Sequence, residues 1–394
     1  MPPRLRLIAT LSLSQILGWG TTFDMPGVFG RTIASELSMA NETAFAGLTV
    51  MMLVTAFAGP ATGRLVERLG AARVLACGSA LFGLGLLLMA AATGPILYFA
   101  AWLLIGFGSA FGLSVPCYAA VVEREGADAK RAIGILMIFT GLSATVCWPL
   151  LSLGQDWIGW RWTLTIAALI HLVALVPLHL FGLPAVQGRT AEAAAASQAE
   201  PLALSPRQSK RALVLIAIVT IAFSLVTMGI APSLIELITQ AGATPELALQ
   251  LGALRSVFGI SARAIDTVAG RRASPLFTGY AAAILMLAAL PILAFSGGEP
   301  WLLLAFVACY GFGSGVSALS RALLPLGFFS PGRYARISAN LSLPANLAMA
   351  AAPVVSTFLL DRGGATALLV YCAGLCLITL AALAGLSLIR RQAR

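Results

Sequence analysis

Asp24, Arg255 and Arg321 stand out because each is a charged side chain set in an otherwise apolar run. A charge in such a setting has a partner or a function. Asp24 is the sole carboxylate well inside an apolar stretch of the first half, two residues before Pro26. With restricted hydration it would bind and release a proton, which makes it a candidate coupling site. The competing reading is a hydrated carboxylate near the outer rim, facing Arg31 two turns on. Arg255 has no acid one turn away. Its guanidinium can grip a carboxylate through two parallel hydrogen bonds, so it is a candidate anion site. The alternative is an ion pair with an acid from another segment, Asp24 among them. Arg321 either serves the anion path or an inner gate, or snorkels to the membrane interface. Asn340 and Asn346 flank Pro344. Their amides either bond a substrate or bond the carbonyls that the proline frees. Trp148, beside Pro149, either lines a cavity or packs.

Other chemistries find little support. His171 and His179 are eight residues apart, about 12 Å along a helix, too far to share a metal. His171 reads better as a polar packing residue than as a proton relay. All six cysteines fall inside apolar runs, and Cys372 and Cys376, one turn apart, have no His or carboxylate nearby in sequence. They read as small apolar filler. The glycines of Gly106–Gly112 and Gly311–Gly315 follow no strand and precede no polar turn, so they form neither a phosphate loop nor a dinucleotide fingerprint. They suit close helix approach. No nucleophile–base pair is present. An enzyme, an ATP-driven pump and a cofactor are therefore not expected.

The elements that must position these residues are membrane spans. Hydrophobic residues make up 59% of the 394 and charged ones only 10%, against roughly a quarter in soluble domains. A bilayer core of about 30 Å needs about 20 apolar residues per helix. Twelve stretches qualify. They cover Leu7–Phe29, Thr43–Val66, Val74–Thr93, Ile96–Val121, Ala132–Leu153 and Thr163–Phe181 in the first half. The second half supplies Ala212–Ile238, Leu247–Ala269, Pro275–Phe295, Trp301–Leu324, Ile337–Leu360 and Ala365–Ile389. The expected fold is an all-α polytopic membrane protein with two pseudo-symmetric six-helix bundles, residues 1–183 and 211–394. Residues 184–210, with AEAAAASQAE and SPRQSKR, read as a flexible cytoplasmic linker. The basic N-terminus runs into an apolar stretch that extends to Phe29 without a convincing cleavage site, so it reads as an uncleaved first span.

Charge sets the orientation. The net charge is +10, but the basic residues form no single stripe of the kind a nucleic acid needs. They cluster between apolar runs. With the N-terminus inside, 19 of the 25 Lys and Arg fall in cytoplasmic segments. Only Arg31, Arg161 and Arg362 fall outside, and Arg255, Arg263 and Arg321 lie within or at the edge of spans. That bias places both termini in the cytoplasm and requires an even number of spans.

The halves look like copies. Gly63-Arg64-Leu65-Val66-Glu67 is echoed by Ala262-Arg263-Ala264-Ile265-Asp266. Gly106-Phe107-Gly108-Ser109 recurs as Gly311-Phe312-Gly313-Ser314, and Trp148-Pro149-Leu150-Leu151-Ser152 is echoed by Ala352-Pro353-Val354-Val355-Ser356. The offsets of 199, 205 and 204 place spans 2, 4 and 5 on spans 8, 10 and 11. Parallel six-span repeats are a transporter architecture.

The segment Gly63-Arg64-Leu65-Val66-Glu67-Arg68-Leu69-Gly70-Ala71-Ala72-Arg73 resembles the signature of the major facilitator superfamily between spans 2 and 3, roughly G-x-L-x-D-R-x-G-R-R. Glu67 stands for the usual Asp, and one basic position has moved to Arg73. Gly159-Trp160-Arg161-Trp162, opening span 6, also looks like a feature of that family. Two family features are missing. Trp102 occupies the place of the span-4 arginine four residues before Gly106, and span 5 lacks the G-x-x-x-G-P-x-x-G-G run of many drug/proton antiporters. Lys130-Arg131 followed by Gly134 and Gly141, with Gly18-Trp19-Gly20 in span 1, weakly resembles the monocarboxylate-porter branch. The acid expected before that span-1 motif is replaced by Ser14 and Gln15.

The resemblance implies a gating role for Gly63, Glu67, Arg68, Gly70 and Arg73, and for Arg263, Asp266, Arg271 and Arg272 at the matching end of the second half. Their carboxylate–Arg contacts would hold an outward-facing state and break as the bundles rock. Positive-inside anchoring alone explains Arg271 and Arg272, but anchoring does not call for the acids. The expected protein is a monomeric secondary transporter in a bacterial-type inner membrane, proton-linked, for a small organic anion such as a monocarboxylate. The alternatives are an exporter of a hydrophobic or cationic compound with Asp24 as counter-charge, an uncoupled uniporter, and a transporter-like sensor.

Overall fold

The computed structural model describes residues 2–126, 129–186, 202–269 and 274–393, and every long element among them is helical. The chain divides into two compact units. The first comprises residues 1–196 and 331–343, the second residues 197–330 and 344–394. Sequence position alone would assign 331–343 to the second half; its packing puts it with the first. Arg189 and part of the expected linker, and Arg271 and Arg272 of the expected gate, lie outside the described residues.

In the first unit, α1 (Pro3–Thr21) and α2 (Pro26–Glu36) together form the first span, followed by α3 (Asn41–Leu69) and α4 (Ala71–Ala90). The fourth span is α5 (Pro95–Gly112) with α6 (Ser114–Glu125). The helix α7 (Ala129–Thr140) precedes α8 (Ser143–Leu169), which continues in wider π-helical turns to Gly182. The second unit contains α9 (Pro206–Gln240), α10 (Pro245–Ala269), α11 (Pro275–Ala294) and α12 (Pro300–Phe328). The helix α13 (Tyr334–Gln392) begins in the first unit and ends in the second. Proline opens seven of these helices at the first or second position, where its missing N–H costs nothing and its fixed φ suits the helix.

Eight helical segments among the described residues are long and apolar enough to cross a bilayer. Two of them, Ala129–Gly182 and Pro331–Gln392, each hold two spans, separated at Gly159 (φ 80°) and Gly364 (φ 65°). Only glycine takes such a left-handed φ cheaply, so the chain turns there. With α1–α2 and α10 included, the twelve expected spans are all present as helix.

The repeat is visible in the packing. In the first unit α5 is packed most extensively on α4 and α3; in the second, α12 is packed most extensively on α11 and α10. Gly106 faces Val54 and the carbonyl of Met51, and Gly311 faces Phe258 and the carbonyl of Arg255, each partner displaced by 204 positions. Gly108 meets Phe82 as Gly313 meets Met286, again 204 apart. Lipid offers no hydrophobic drive for helices to associate, so close backbone approach at small residues and the dispersion it brings hold the layers together. Trp102, at the place where the resemblance led to an expected arginine, is fully buried against Gly47 and next to Tyr98, so this position packs.

The crowding at Gly311 yields a prediction. An added Cβ would lie 2.8 Å from Phe258 Cβ and 2.9 Å from the Arg255 carbonyl oxygen. Gly311→Ala should therefore cost about 1–3 kcal/mol. Gly374→Ala, where no atom lies within 4 Å, should be neutral or slightly stabilising, as alanine suits a helix. Thermal midpoints in detergent check this; indistinguishable midpoints for the two variants would refute the close-packing account.

Candidate functional site

Asp24 lies in the break between α1 and α2, which spans residues 22–25. Pro26 forces the break: it has no N–H to donate to the Thr22 carbonyl and its ring clashes with that group. The half-buried Asp24 side chain accepts a 2.7 Å hydrogen bond from Ser143 Oγ. Its backbone carbonyl accepts the Trp148 indole N–H at 3.0 Å and the Gly27 N–H at 3.1 Å. Both side-chain donors come from α8. The join is tight: Gly20 faces Cys147, and an added Cβ at Gly27 would lie 2.9 Å from the Trp148 ring. The Trp148 ring is therefore fixed along one edge while the side chain stays 47% exposed. Trp19 and Phe23, in edge-to-face contact at 5.3 Å, flank the same break. Arg31 is exposed and does not pair with Asp24.

Arg255 is half-buried near the middle of α10, its backbone pressed against Gly311 of α12. No ion pair or side-chain hydrogen bond to Arg255 or Arg31, and no ion pair to Asp24, is formed among the described residues. Asp24 and Arg255 are thus two opposite charges set in spans, each without a counter-ion among those residues.

Arg321 turns inward, donating a 2.8 Å hydrogen bond to the fully buried Ser224 of α9. That geometry departs from snorkelling. Asn340 is exposed and Asn346 half-buried, on either side of the boundary between the units. Among the described residues neither amide bonds a carbonyl freed by Pro344.

The two charge clusters differ. In the first unit, Gly59 and Gly63 form a seat on α3 for the start of α13. An added Cβ at Gly63 would lie 2.8 Å from Ala339 Cβ and 2.9 Å from Arg336 Cα. Beside that seat Glu67 pairs with Arg336 at 3.8 Å. Arg68 and Arg73 are exposed, and Gly70 (φ 79°) makes the turn from α3 to α4. In the second unit Asp266 is buried, accepting a 2.6 Å hydrogen bond from Thr278 of α11. Arg263 donates to the Gly315 carbonyl at 3.3 Å. The two acids therefore do different work: Glu67 pairs with a segment from the other half of the sequence, and Asp266 bonds the next helix of its own half.

Several contributors had no local sequence signal. Ser143 lies 119 residues from Asp24, and Arg336 lies far along the chain from Glu67. Glu123 caps the first N–H of α4 through Ala71 at 3.0 Å. Arg161 binds the carbonyls of Ala90 and Ala92 at 2.7 and 2.8 Å, closing the other end of α4, and pairs with Glu36 at 3.4 Å. Its conspicuous Gly-Trp-Arg-Trp setting was the signal available. His171 bonds Thr21, and His179 bridges Ser14 and Ser79 at 2.7 and 3.1 Å. Both rings tie α8 to its neighbours.

Comparisons with known proteins place this geometry. No curated protein matches the sequence significantly. Among solved structures, the human organic anion transporter MFSD10 (TETRAN) superposes with a TM-score of 0.75 at 18% identity, covering 97% of this chain and 100% of the other. The E. coli fucose:proton symporter FucP gives 0.70 at 14% identity, covering 100% and 99%. The proton:xylose symporter XylE gives 0.69 at 11% identity, covering 97% and 94%. At these identities the likeness is one of fold. The family model of the Major Facilitator Superfamily matches residues 11–339. The chain, with its repeated bundles of membrane-spanning helices, belongs to the major facilitator superfamily of membrane transporters.

Proposed function

We propose that the chain is a secondary transporter that works by alternating access and moves a small organic anion, such as a monocarboxylate, together with a proton. Arg255 carries the reading. A guanidinium in a span without an acidic partner is costly to keep unless a mobile anion neutralises it. A carboxylate satisfies its paired donors. MFSD10, the human protein of the same fold, is an organic anion transporter, which agrees with this choice of substrate class. Asp24 supplies the proton site: it sits at a helix break with one hydroxyl donor and no cation partner among the described residues, so protonation and release change its balance directly. Arg321, Asn340, Asn346 and Trp148 are assigned to the same path, as side chains with polar or aromatic groups set in spans. We read residues 1–183 and 211–394 as the transporting bundles, 184–210 as their linker, and the membrane as a bacterial-type inner membrane with both termini cytoplasmic.

A second reading has one observation in its favour. An exposed indole beside a carboxylate that lacks a counter-ion also suits an organic cation, through cation–π attraction and charge. It makes the protein an exporter with Asp24 at the centre of its site.

The seat formed by Gly59 and Gly63, with the Glu67–Arg336 pair, serves as a gate. An exposed ion pair contributes only about 0.2–1 kcal/mol. A side chain forced into a packed helix contact costs about 1–3 kcal/mol. The packing should therefore dominate. Gly63→Val should slow turnover more than Glu67→Ala does, and the effects of Glu67→Ala and Arg336→Ala should not add. Turnover in proteoliposomes checks both statements; a Glu67→Ala variant slower than Gly63→Val would reverse the ranking.

The substrate assignment is tested by counterflow of radiolabelled monocarboxylates in proteoliposomes, with and without a pH gradient. Saturable exchange should fall at least about tenfold in Arg255→Ala, the loss of one charge-assisted contact, and recover only in part in Arg255→Lys. Asp24→Asn should retain counterflow and lose gradient-driven accumulation. If folded protein moves no acid but does move organic cations, and Asp24→Asn abolishes that movement, the exporter reading replaces the anion reading.

A further inference from the structure

Backbone and side-chain polar groups buried away from water are almost always paired, and an unpaired one costs of order 1–3 kcal/mol. On α1 four buried side-chain atoms lack a protein partner: Arg4 Nη2, Ser12 Oγ, Gln15 Oε1 and Trp19 Nε1. Their spacings of 8, 3 and 4 residues put all four within a narrow sector of the helix. Ser12 and Gln15 are 5% and 1% exposed. The Gln15 amide cannot satisfy itself by turning over, because its Nε2 already donates to the Gly112 carbonyl at 2.9 Å and a carbonyl only accepts. On the other side of α1 the pattern is reversed. Ser14 bonds His179, and Thr21 bonds His171 and the Leu17 carbonyl. The unpaired atoms are therefore gathered on one side, and they run from the basic end of α1 to the break that holds Asp24.

We propose that this side of α1 holds a file of bound water, and that the file carries the proton between Asp24 and the end of the unit where Arg4 lies. The inference rests on the proton-coupled reading of Asp24. Buried water makes two to four bonds to otherwise unsatisfied polar groups, and alternating donors and acceptors of this kind are what it needs. Trp19 Nε1 donates, Gln15 Oε1 accepts, and Ser12 Oγ does either. No side chain of the file titrates: each hop forms one O–H bond and breaks another between neighbouring waters, and the net result is one proton gained or lost at Asp24. Gln15, Ser12 and Trp19 are positioning residues that act through the water. Among the titratable groups on helices packed around α1, Glu125 of α6 reaches the Arg4 end of the file, and His171, His179 and Cys147 meet α1 elsewhere. His171 and His179 of α8 meet its opposite side, and Cys147 meets the Ile16 carbonyl. Cys117 of α6 is fully buried, and Glu125 holds Arg4 at 3.4 Å.

Ser12→Ala and Trp19→Phe each delete one unpaired polar atom and break no hydrogen bond to the protein; Gln15→Met removes the central acceptor at similar volume. Each variant is compared with wild type in two assays in proteoliposomes: carboxylate counterflow, which needs no net proton movement, and accumulation driven by a pH gradient. Gradient-driven accumulation should fall about tenfold in Gln15→Met and by a smaller factor in Trp19→Phe and Ser12→Ala, while counterflow stays within about twofold. Thermal midpoints in detergent supply the independent readout. Deleting an unpaired polar atom from a dry site raises stability, whereas deleting one that binds water lowers it. Full gradient-driven accumulation in all three variants, or raised midpoints in all three, overturns the water file alone. A wild-type protein with counterflow but no response to the gradient overturns the coupling reading and the proton route with it.

Discussion

Everything in this structure follows from the absence of water around the backbone. In a bilayer each N–H and C=O must find its partner inside the protein, which leaves the helix as the default. The places where helices end or break are then the costly ones, and the chain spends its polar side chains there. Glu123 closes the start of α4 and Arg161 its end. Arg6 binds the carbonyls of Phe181 and Gly182, and Arg124 that of Pro184, where α8 runs out. At the α1–α2 break the Trp148 indole serves the Asp24 carbonyl. Arginine suits this work because its planar fork reaches two carbonyls at once.

Within that constraint the helices approach through small residues. The glycines at 106 and 108 and at 311 and 313 let α5 and α12 sit deep against their neighbours, with partners displaced by a constant 204 positions. Duplication thus explains the scaffold. It does not explain the charges. Glu67 and Asp266 stand near the matching ends of α3 and α10, yet one pairs with Arg336 on the surface and the other is buried against Thr278. Asp24 has no counterpart acid at the matching place in the second half, where position 228 is Met. The polar side chains differ where the packing repeats.

Few charges are set within spans without a counter-ion among the described residues. Most basic residues lie between the spans, where hydration is available, and several near helix ends are occupied with carbonyls. Asp24 and Arg255 are different: they sit within spans and are held in place by packing rather than by an opposite charge. Among the described residues neither is locked in an internal salt bridge. The fold supplies rigid support around them, through the Gly20–Cys147 and Gly27–Trp148 contacts in the first unit and Gly311 in the second.

Much of this was legible in the sequence. Hydropathy set the spans, because lipid demands about 20 apolar residues per crossing. The echoed motifs set the repeat, and the Gly63–Arg73 segment pointed to the family. Asp24 and Arg255 were found because a charge in an apolar run is conspicuous by itself. Tertiary structure decided what those charges meet. Ser143 and Arg336 become partners only when distant helices come together, and no local spacing announces them. Packing also decided that residues 331–343 belong with the first unit, that Arg321 turns inward to Ser224, and that Trp102 fills a space opposite Gly47. Local sequence specifies helices and their ends because those depend on neighbours within a few residues. The face each helix turns to the next depends on side-chain volumes from all over the chain, and in a protein apolar on most faces periodicity carries little of that information.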